Sequence, residues 1–449
     1  MSPSGNALCL RASFLAPSLP MSAAELLPLH LGSKASGTVR VPGSKSLSNR
    51  LLLLAAVADG ETTLTHLLDS DDVRRMREAL AGLGVETETT SEGLRVRGVG
   101  GILKNPAATP LTLHLGNAGT AMRPLTALLA AGQGTFILDG DPRMRERPLG
   151  PLVDALRTLG ADIEYLGNAG YPPLKIVGRP LRGGSVAIDG TLSSQFVTAL
   201  MMLAPQLEGG LTIEREGELV SDPYLEITRR CLGLFGVSST WPEPRAITVA
   251  PGPLKAPGRL PVEGDASSAS YFLALGALAG GPVRVTGVGR DSMQGDVAFL
   301  DVLAQAGAVT RSGPDWLETE GGTLRGIDVD LNAIPDAAMT LAVVALFAEG
   351  PTRIRGVANW RVKETDRIAA MAAELRKLGA TVEEFEDGLS VSPPKRRQPA
   401  QIATYDDHRM AMCFSLAALG RTPIVIEDPA CVRKTYPHYF EDFLGLFPA

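Results

Sequence analysis

At 449 residues the chain exceeds the size at which a single hydrophobic core stops growing, about 250–300 residues, so two or more domains are expected. A composition of 45% hydrophobic and 20% charged residues excludes wholesale disorder, and a formal net charge of −6 excludes the basic footprint of a nucleic-acid-binding protein. No apolar run approaches the roughly 18 residues that cross a bilayer, and an anionic ligand would have to be met by a local gathering of Lys and Arg against an acidic background.

Residues 1–24 are Ser-, Pro- and Ala-rich, with Arg11 as their single basic residue; Pro17 and Pro20 interrupt any signal-peptide core. This stretch reads as a disordered extension, with Met21 as a second candidate start. Four cysteines (Cys9, Cys231, Cys413 and Cys431) lie far apart without metal-ligand or disulfide-scaffold spacing, so neither zinc nor a disulfide framework is expected. Cys231 and Cys413 fall in apolar helical stretches and should be buried and inert.

Beyond residue 25 one pattern repeats. The phrases ALAGLGVETE, ALRTLGADIE, CLGLFGVSST, VLAQAGAVT and ELRKLGATVEE align on Gly84, Gly160, Gly236, Gly307 and Gly379, in steps of 76, 76, 71 and 72 residues. Each is apolar at helical spacing, then turns through glycine into a strand-forming stretch, the signature of a helix closed by a C′ glycine. FEDFLGLF at the C-terminus is a truncated sixth copy. Upstream of each lies a polar loop and a nearly wholly apolar helix, as in GSKSLSNRLLLLAAVA, NAGTAMRPLTALLAA, LSSQFVTALMMLA, DASSASYFLALGALA, PDAAMTLAVVALFA and DHRMAMCFSLAAL. The unit is strand–helix–strand–helix–strand–strand, used six times. Units near 70 residues are long for a solenoid, so six α/β subdomains grouped three and three are expected. The apolar first helices should be buried on more than one side; the amphipathic second helices should lie outside.

The loops that precede these helices carry the chemistry. Before the first helices stand Lys45, Ser46, Asn117, Gly119, Thr120, Ser193, Ser194, Gln195, Asp336, His408 and Arg409; before the second stand Arg147, Ser221, Tyr224, Asn359, Lys363, Glu364, Arg367 and Lys434. Ser193, Ser194, Asp265 and Asp336 taken singly are ordinary N-caps, Glu364 with Arg367 is an ordinary surface pair, and His408 an ordinary structural histidine. Cations at helix starts are harder to explain so blandly. Lys45, Arg147 and Arg409 read as lying where the helix dipole disfavours positive charge, a cost that an anionic ligand would offset.

These residues fall within PGSKSLSNR (42–50), LGNAGTAMRPL (115–125), RMRERP (143–148), SSQF (193–196), SDPY (221–224), GDASSASYF (264–272), IPDAAMT (334–340), NWRVKETDR (359–367), YDDHRMAMCFSLAAL (405–419) and KTYP (434–437). From about residue 29 onward the chain closely resembles the 5-enolpyruvylshikimate-3-phosphate synthase family. The resemblance implies an α/β protein of two lobes, each of three βαβαββ subdomains (the enolpyruvyl transferase fold, an inverse α/β barrel). One lobe would comprise residues 25–42 and 263–449, the other the continuous stretch 43–262, with crossings near 42–44 and 261–264.

The reaction implied is transfer of the enolpyruvyl group of phosphoenolpyruvate to the 5-hydroxyl of shikimate 3-phosphate, in aromatic amino-acid biosynthesis. By similarity Lys45, Ser46, Arg50, Ser193, Ser194, Gln195, Ser221, Tyr224, Asp336, Asn359 and Lys363 hold shikimate 3-phosphate. Lys45, Asn117, Gly119, Arg147, Gln195, Arg367, Arg409 and Lys434 surround phosphoenolpyruvate. Asp336 would serve as base for the 5-hydroxyl, with Glu364 and Lys45 as candidates for proton transfer at the methyl carbon. The resemblance implies no metal or cofactor, a cytoplasmic monomer acting on small molecules, no nucleic-acid or membrane partner, and sensitivity to glyphosate. Tyr436, where the family commonly has Phe, and Arg433 depart from the pattern and are expected to modulate phosphoenolpyruvate affinity. The rival enolpyruvyl transferases acting on UDP-N-acetylglucosamine generally carry a reactive Cys, and no Cys falls in the matching stretch 135–150. A non-catalytic anion-binding module is disfavoured because every position needed for catalysis has a competent side chain.

Overall fold

The structure is a computed structural model and describes residues 25–191, 193–217 and 221–448; the extension 1–24, with Cys9, lies outside them. The five repeat glycines all adopt the left-handed region, with φ of 79°, 99°, 84°, 109° and 90°. In four of them the following residue donates back five positions, as in Val85 N–H to Leu80 O (2.9 Å) and Ala161 N–H to Leu156 O (3.0 Å), which satisfies the helix's orphan carbonyls. Local chemistry therefore ends the helix and aims the next strand.

Each repeat builds its own small sheet. In the second, Leu111–His114 and Gly134–Asp139 run parallel, and Leu174–Gly178 and Asp162–Tyr165 complete the sheet antiparallel. Four further sheets have four strands in the same arrangement. The truncated last unit has three, because the N-terminal strand Leu26–Leu29 pairs antiparallel with Ile424–Glu427, which itself runs parallel to Ala400–Ile402.

The two helix classes separate by burial. Every residue of Lys45–Val57 except Ser46 is buried, as is all of His408–Ser415. Asp71–Gly82 instead buries Asp72, Val73, Met76, Ala79 and Leu80, one face at helical spacing. The buried apolar residues form two clusters. One runs from Leu47 to Val262; the other joins Leu29–Val41 to Ala266–Leu446.

The chain passes between the clusters twice, and the strands at the passages are exchanged. Gly37–Arg40 pairs with Val283–Thr286, whereas Gly258–Pro261 pairs with Glu61–Thr65. Gly43 and Gly264 bridge the two passages directly. A Cβ on Gly43 would lie 2.2 Å from His66 O, so this close approach requires glycine. Tyr436 packs beside this hinge against Phe272 and Tyr439, and its hydroxyl donates to Asp442 (2.7 Å). The departure from Phe is thus absorbed in an aromatic core behind the site, not in direct contact with it. Cys231 and Cys413 are buried as expected, and burial pushes both thiols up to about 12. Among the described residues no helix is long and apolar enough to cross a membrane.

Candidate active site

One cavity between the two clusters is lined from the first turns of five inner helices (Lys45 and Ser46, Gly119 and Thr120, Ser194 and Gln195, Asp336, Arg409) and from the loops that precede outer helices. Arg50, Asp72, Arg147, Ser193, Ser221, Tyr224, Asn359, Lys363 and Glu364 complete its walls. Side chains from distant parts of the chain thus meet where free helix N–H groups also point, an arrangement that suits anions.

The helix-start argument needs one correction. Lys45, Arg367 and Arg409 do occupy first turns, but Arg147 follows a short 3₁₀ turn, Met144–Glu146, and its helix starts only at Gly150. Lys434 ends the 3₁₀ turn Pro429–Lys434. Pro148 biases the residue before it away from helix, so Arg147 projects from extended backbone with no dipole against it, and the helix begins only at Gly150 with Pro151 in its first turn.

A network of fixed charges forms the floor. Asp336 accepts from Arg367 Nη1 (2.9 Å) and Arg409 Nη2 (2.9 Å), with Lys363 Nζ at 3.8 Å. Arg367 also donates to Asp407 (2.8 Å) and Glu364 (3.0 Å), while Arg147 lies 4.0 Å from Glu364. Lys45 and Lys434 share Asp72 at 3.4 and 3.3 Å. Arg367, Lys434 and Asn117 stand directly behind the lining residues: Arg147 Nη1 and Lys434 Nζ both donate to Asn117 O, at 3.0 and 2.9 Å. Arg50 touches the cavity but also braces it, donating to Thr228 Oγ1 (2.9 Å) and Ser46 O (2.9 Å). Ser193 caps its helix by accepting from Gln195 N–H, and Asp265 does the same for Ser267 and Ser268. Asp336 caps nothing; Ile334 holds the cap position.

Burial raises the Asp336 carboxyl, yet Arg409, Lys363 and Arg367 outweigh it and hold the group far below the carboxylate range. Burial likewise raises the Glu364 carboxyl, but Arg367, Arg147, Lys434 and Lys45 overcome that rise, so the group stays well below its ordinary value. Burial, with Lys45 and Arg409, keeps His408 neutral; both its ring nitrogens lack a hydrogen-bond partner, so it is not the satisfied structural histidine of the bland reading.

Several buried polar atoms around the cavity make no hydrogen bond: Arg147 Nε, Arg123 Nε and Nη1, Arg409 Nε, Asn117 Nδ2, Gln195 Oε1 and Asn359 Oδ1. Such orphans are rare in a folded interior and concentrate where a ligand or strain is accommodated. Ser221 adds strain, with φ of 58° for a non-glycine residue.

Sequence reasoning missed four participants. Asp72 couples two of the cations; it reads from sequence as a first-turn helix acid. Arg123 is buried beside Arg147 with burial lowering its pKa, although it sits inside the recognised LGNAGTAMRPL run. Asp296 accepts from Tyr224 across the cleft (3.1 Å). Arg143 donates from one lobe to the Lys363 and Glu364 carbonyls of the other at 2.9 and 3.0 Å.

The chain is similar to known proteins over most of its length. Residues 29–443 match the family model for EPSP synthase (3-phosphoshikimate 1-carboxyvinyltransferase). The 3-phosphoshikimate 1-carboxyvinyltransferases of Serratia proteamaculans and Vibrio atlanticus are 57% and 56% identical over 420 residues, spanning 93% of this chain and 97% and 98% of theirs. A solved EPSP synthase from Acinetobacter baumannii superposes with a TM-score of 0.77 at 29% identity, covering 94% of this chain and 98% of that one. The enolpyruvyl transferase NikO of Streptomyces tendae, at 20% identity and a TM-score of 0.75, shares the fold. On the match across 29–443 and the identity held over nearly its whole length, the chain belongs to the EPSP synthase family.

Proposed function

We propose that the interlobe cavity binds shikimate 3-phosphate and phosphoenolpyruvate side by side and transfers the enolpyruvyl group to the 5-hydroxyl, releasing phosphate. The observation that carries this reading is Asp336, a half-buried carboxylate held ionised by Arg367 and Arg409 in one cavity that, in this reading, divides into a serine-lined half and a cation-lined half. Ser46, Ser193, Ser194, Ser221, Tyr224, Asn359, Lys363 and Arg50 form the first half, suited to a phosphate monoester with neighbouring hydroxyls. Lys45, Gly119, Arg147 and Arg409 form the second, backed by Asn117 and Lys434, where paired guanidinium groups suit a carboxylate and a phosphate. Gln195 stands between them. Arg367, already bonded to three carboxylates, contributes charge more than free donors.

In this reading Asp336 accepts the 5-hydroxyl proton as that oxygen attacks C2 of phosphoenolpyruvate. Glu364 is held ionised, which makes it a base and not an acid at neutral pH. Lys45, an ammonium donor, then delivers the proton to C3, and Glu364 removes one from the methyl group as phosphate departs and passes it back to Lys45. The charges that hold the two anions are fixed before they arrive, so little reorganisation accompanies the developing charge.

The chain works as two domains, residues 25–42 with 263–449 and residues 43–262, which close over the substrates; two separate buried clusters support that division. A monomeric working unit is part of the same reading. Free Cys231, Cys413 and Cys431 fit a reducing cytoplasm. Following phosphate release with phosphoenolpyruvate plus either acceptor tests the assignment. Turnover is expected with shikimate 3-phosphate; turnover only with UDP-N-acetylglucosamine would overturn it.

A further inference from the structure

Three oxygen-bearing groups form a row leading away from the reacting centre. Asp336 Oδ2 lies 3.4 Å from the Tyr224 hydroxyl, and that hydroxyl donates to Asp296 Oδ2 at 3.1 Å. Asp296 is the one buried residue of the turn Gly295–Ala298, 4% exposed; its second oxygen accepts from Ser267 Oγ at 3.0 Å. Tyr224 starts an outer helix of the 43–262 lobe, whereas both carboxylates belong to the other lobe, so the row exists only when the lobes are together. No step of the proposed mechanism uses Asp296.

We propose that Asp296 receives, through the Tyr224 hydroxyl, the proton that Asp336 takes from the 5-hydroxyl of shikimate 3-phosphate. The inference rests on the reading of Asp336 as base. In the step the substrate O–H bond breaks and its proton bonds to Asp336. The proton then passes to the Tyr224 oxygen while that hydroxyl's own proton moves to Asp296. Asp336 and Tyr224 return to their starting states, and Asp296 becomes a neutral carboxylic acid that releases its proton to water when the lobes part, while the freed phosphate takes one up from water, so no net proton is released.

Electrostatics gives the path its direction. Asp336 lies among Arg409, Lys363 and Arg367, so it captures a proton readily only in passing and is a poor resting place for one. Around Asp296 stand Tyr224 of the Pro223–Leu234 helix, Asp336 of Pro335–Val344, Arg409 of His408–Ser415, and Asp265 with Ser267 at the start of Ala266–Ala279. Burial, then Asp336, raises this carboxyl to about 6 despite Arg409, so a proton is more stable here than on Asp336. The Asp296 acid also ends the repulsion between two neighbouring carboxylates. Asp296 is accordingly a positioning residue for the proton, acting through Tyr224 and Asp336.

The test is kcat against pH between 5 and 8 at saturating substrates, for the parent, Asp296→Asn, Tyr224→Phe and Asp336→Ala. In the parent, kcat should fall as pH drops through about 6, because an Asp296 already protonated cannot receive another proton. Substrate phosphates titrate in the same range, so the readout is the change of that limb between variant and parent. Asp296→Asn is isosteric and keeps a partner for Ser267. It should lower kcat at least about tenfold, part of the ~10²–10⁴-fold that positioned proton transfer contributes, and remove the acid limb, with KM for shikimate 3-phosphate changed less than about threefold. Tyr224→Phe should remove the same limb, and the double variant should turn over no more slowly than Tyr224→Phe alone. An Asp296→Asn enzyme with the parent's limb overturns the proposal, whether its kcat is unchanged or it has lost only thermal stability. If Asp296→Asn does not fold, persistence of the limb in Tyr224→Phe overturns it instead. Normal turnover by Asp336→Ala would sink the underlying reading of the base, a failure distinct from either of these.

Discussion

Gly119 shows how tightly single atoms control the cavity. A Cβ built there falls 2.3 Å from Arg123 Nη1 and 2.8 Å from Arg147 Nη2, so the methyl of Gly119→Ala must push one guanidinium aside. The expected result is a KM for phosphoenolpyruvate raised about tenfold or more, equivalent to ~1.4 kcal/mol, with KM for shikimate 3-phosphate nearly unchanged. Steady-state kinetics with each substrate varied in turn checks this; equal effects on both would show that the cations do not divide between the substrates as argued. Asp336→Ala should behave differently. It removes the base but leaves the serine-lined half intact, so shikimate 3-phosphate should still bind in calorimetry while kcat drops by ~10²–10⁴-fold. A defect confined to affinity would refute the assigned role.

At the scale of elements, the repeat glycines separate two costs that are usually confounded. Gly160 has φ of 99° with open space around its missing Cβ, so Gly160→Ala should cost only the left-handed strain of about 1–2 kcal/mol. Gly307 has φ of 109° and a Cβ there would also lie 2.3 Å from Thr323 O, so Gly307→Ala should cost clearly more. Equilibrium denaturation of the two variants compares them directly, and equal losses would contradict the steric part. These glycines were legible in the sequence because helix ends are written locally, in an apolar period followed by Gly and a strand-forming run. The burial contrast between Lys45–Val57 and Asp71–Gly82 was legible for the same reason. Arg147 was misplaced because Pro148, directly after it, keeps it out of the helix. Asp72 and Asp296 were missed because each resembles an ordinary first-turn acid, and only the packing of other units against them reveals their partners.

At the scale of the whole molecule, the proposed closure would draw on groups that bridge the lobes. Arg143 spends two guanidinium nitrogens on the Lys363 and Glu364 carbonyls, holding in place two residues that line the cavity. It is partly exposed, so Arg143→Ala should fold normally. Loss of its hydrogen bonds should disfavour the closed form by about 1–2 kcal/mol. Fluorescence energy transfer between labels on the two lobes should then show fewer closed molecules at a given substrate concentration, accompanied by higher KM values. Unchanged distances and kinetics would remove Arg143 from the closing apparatus.

The exchanged strands also bear on how the molecule is made. Leu26–Leu29 and Gly37–Arg40 emerge from the ribosome first, but their partners, Ile424–Glu427 and Val283–Thr286, are translated much later. Between them lies a stretch with its own buried cluster, Leu47 to Val262, that can condense while synthesis continues. The amino-terminal strands must therefore wait with open hydrogen-bonding edges, the form in which nascent chains are most prone to pair wrongly. Because one wall of the cavity belongs to the late-completed body, catalytic competence arrives only when the last strand docks. A partly synthesised chain thus has a folded half but no working enzyme.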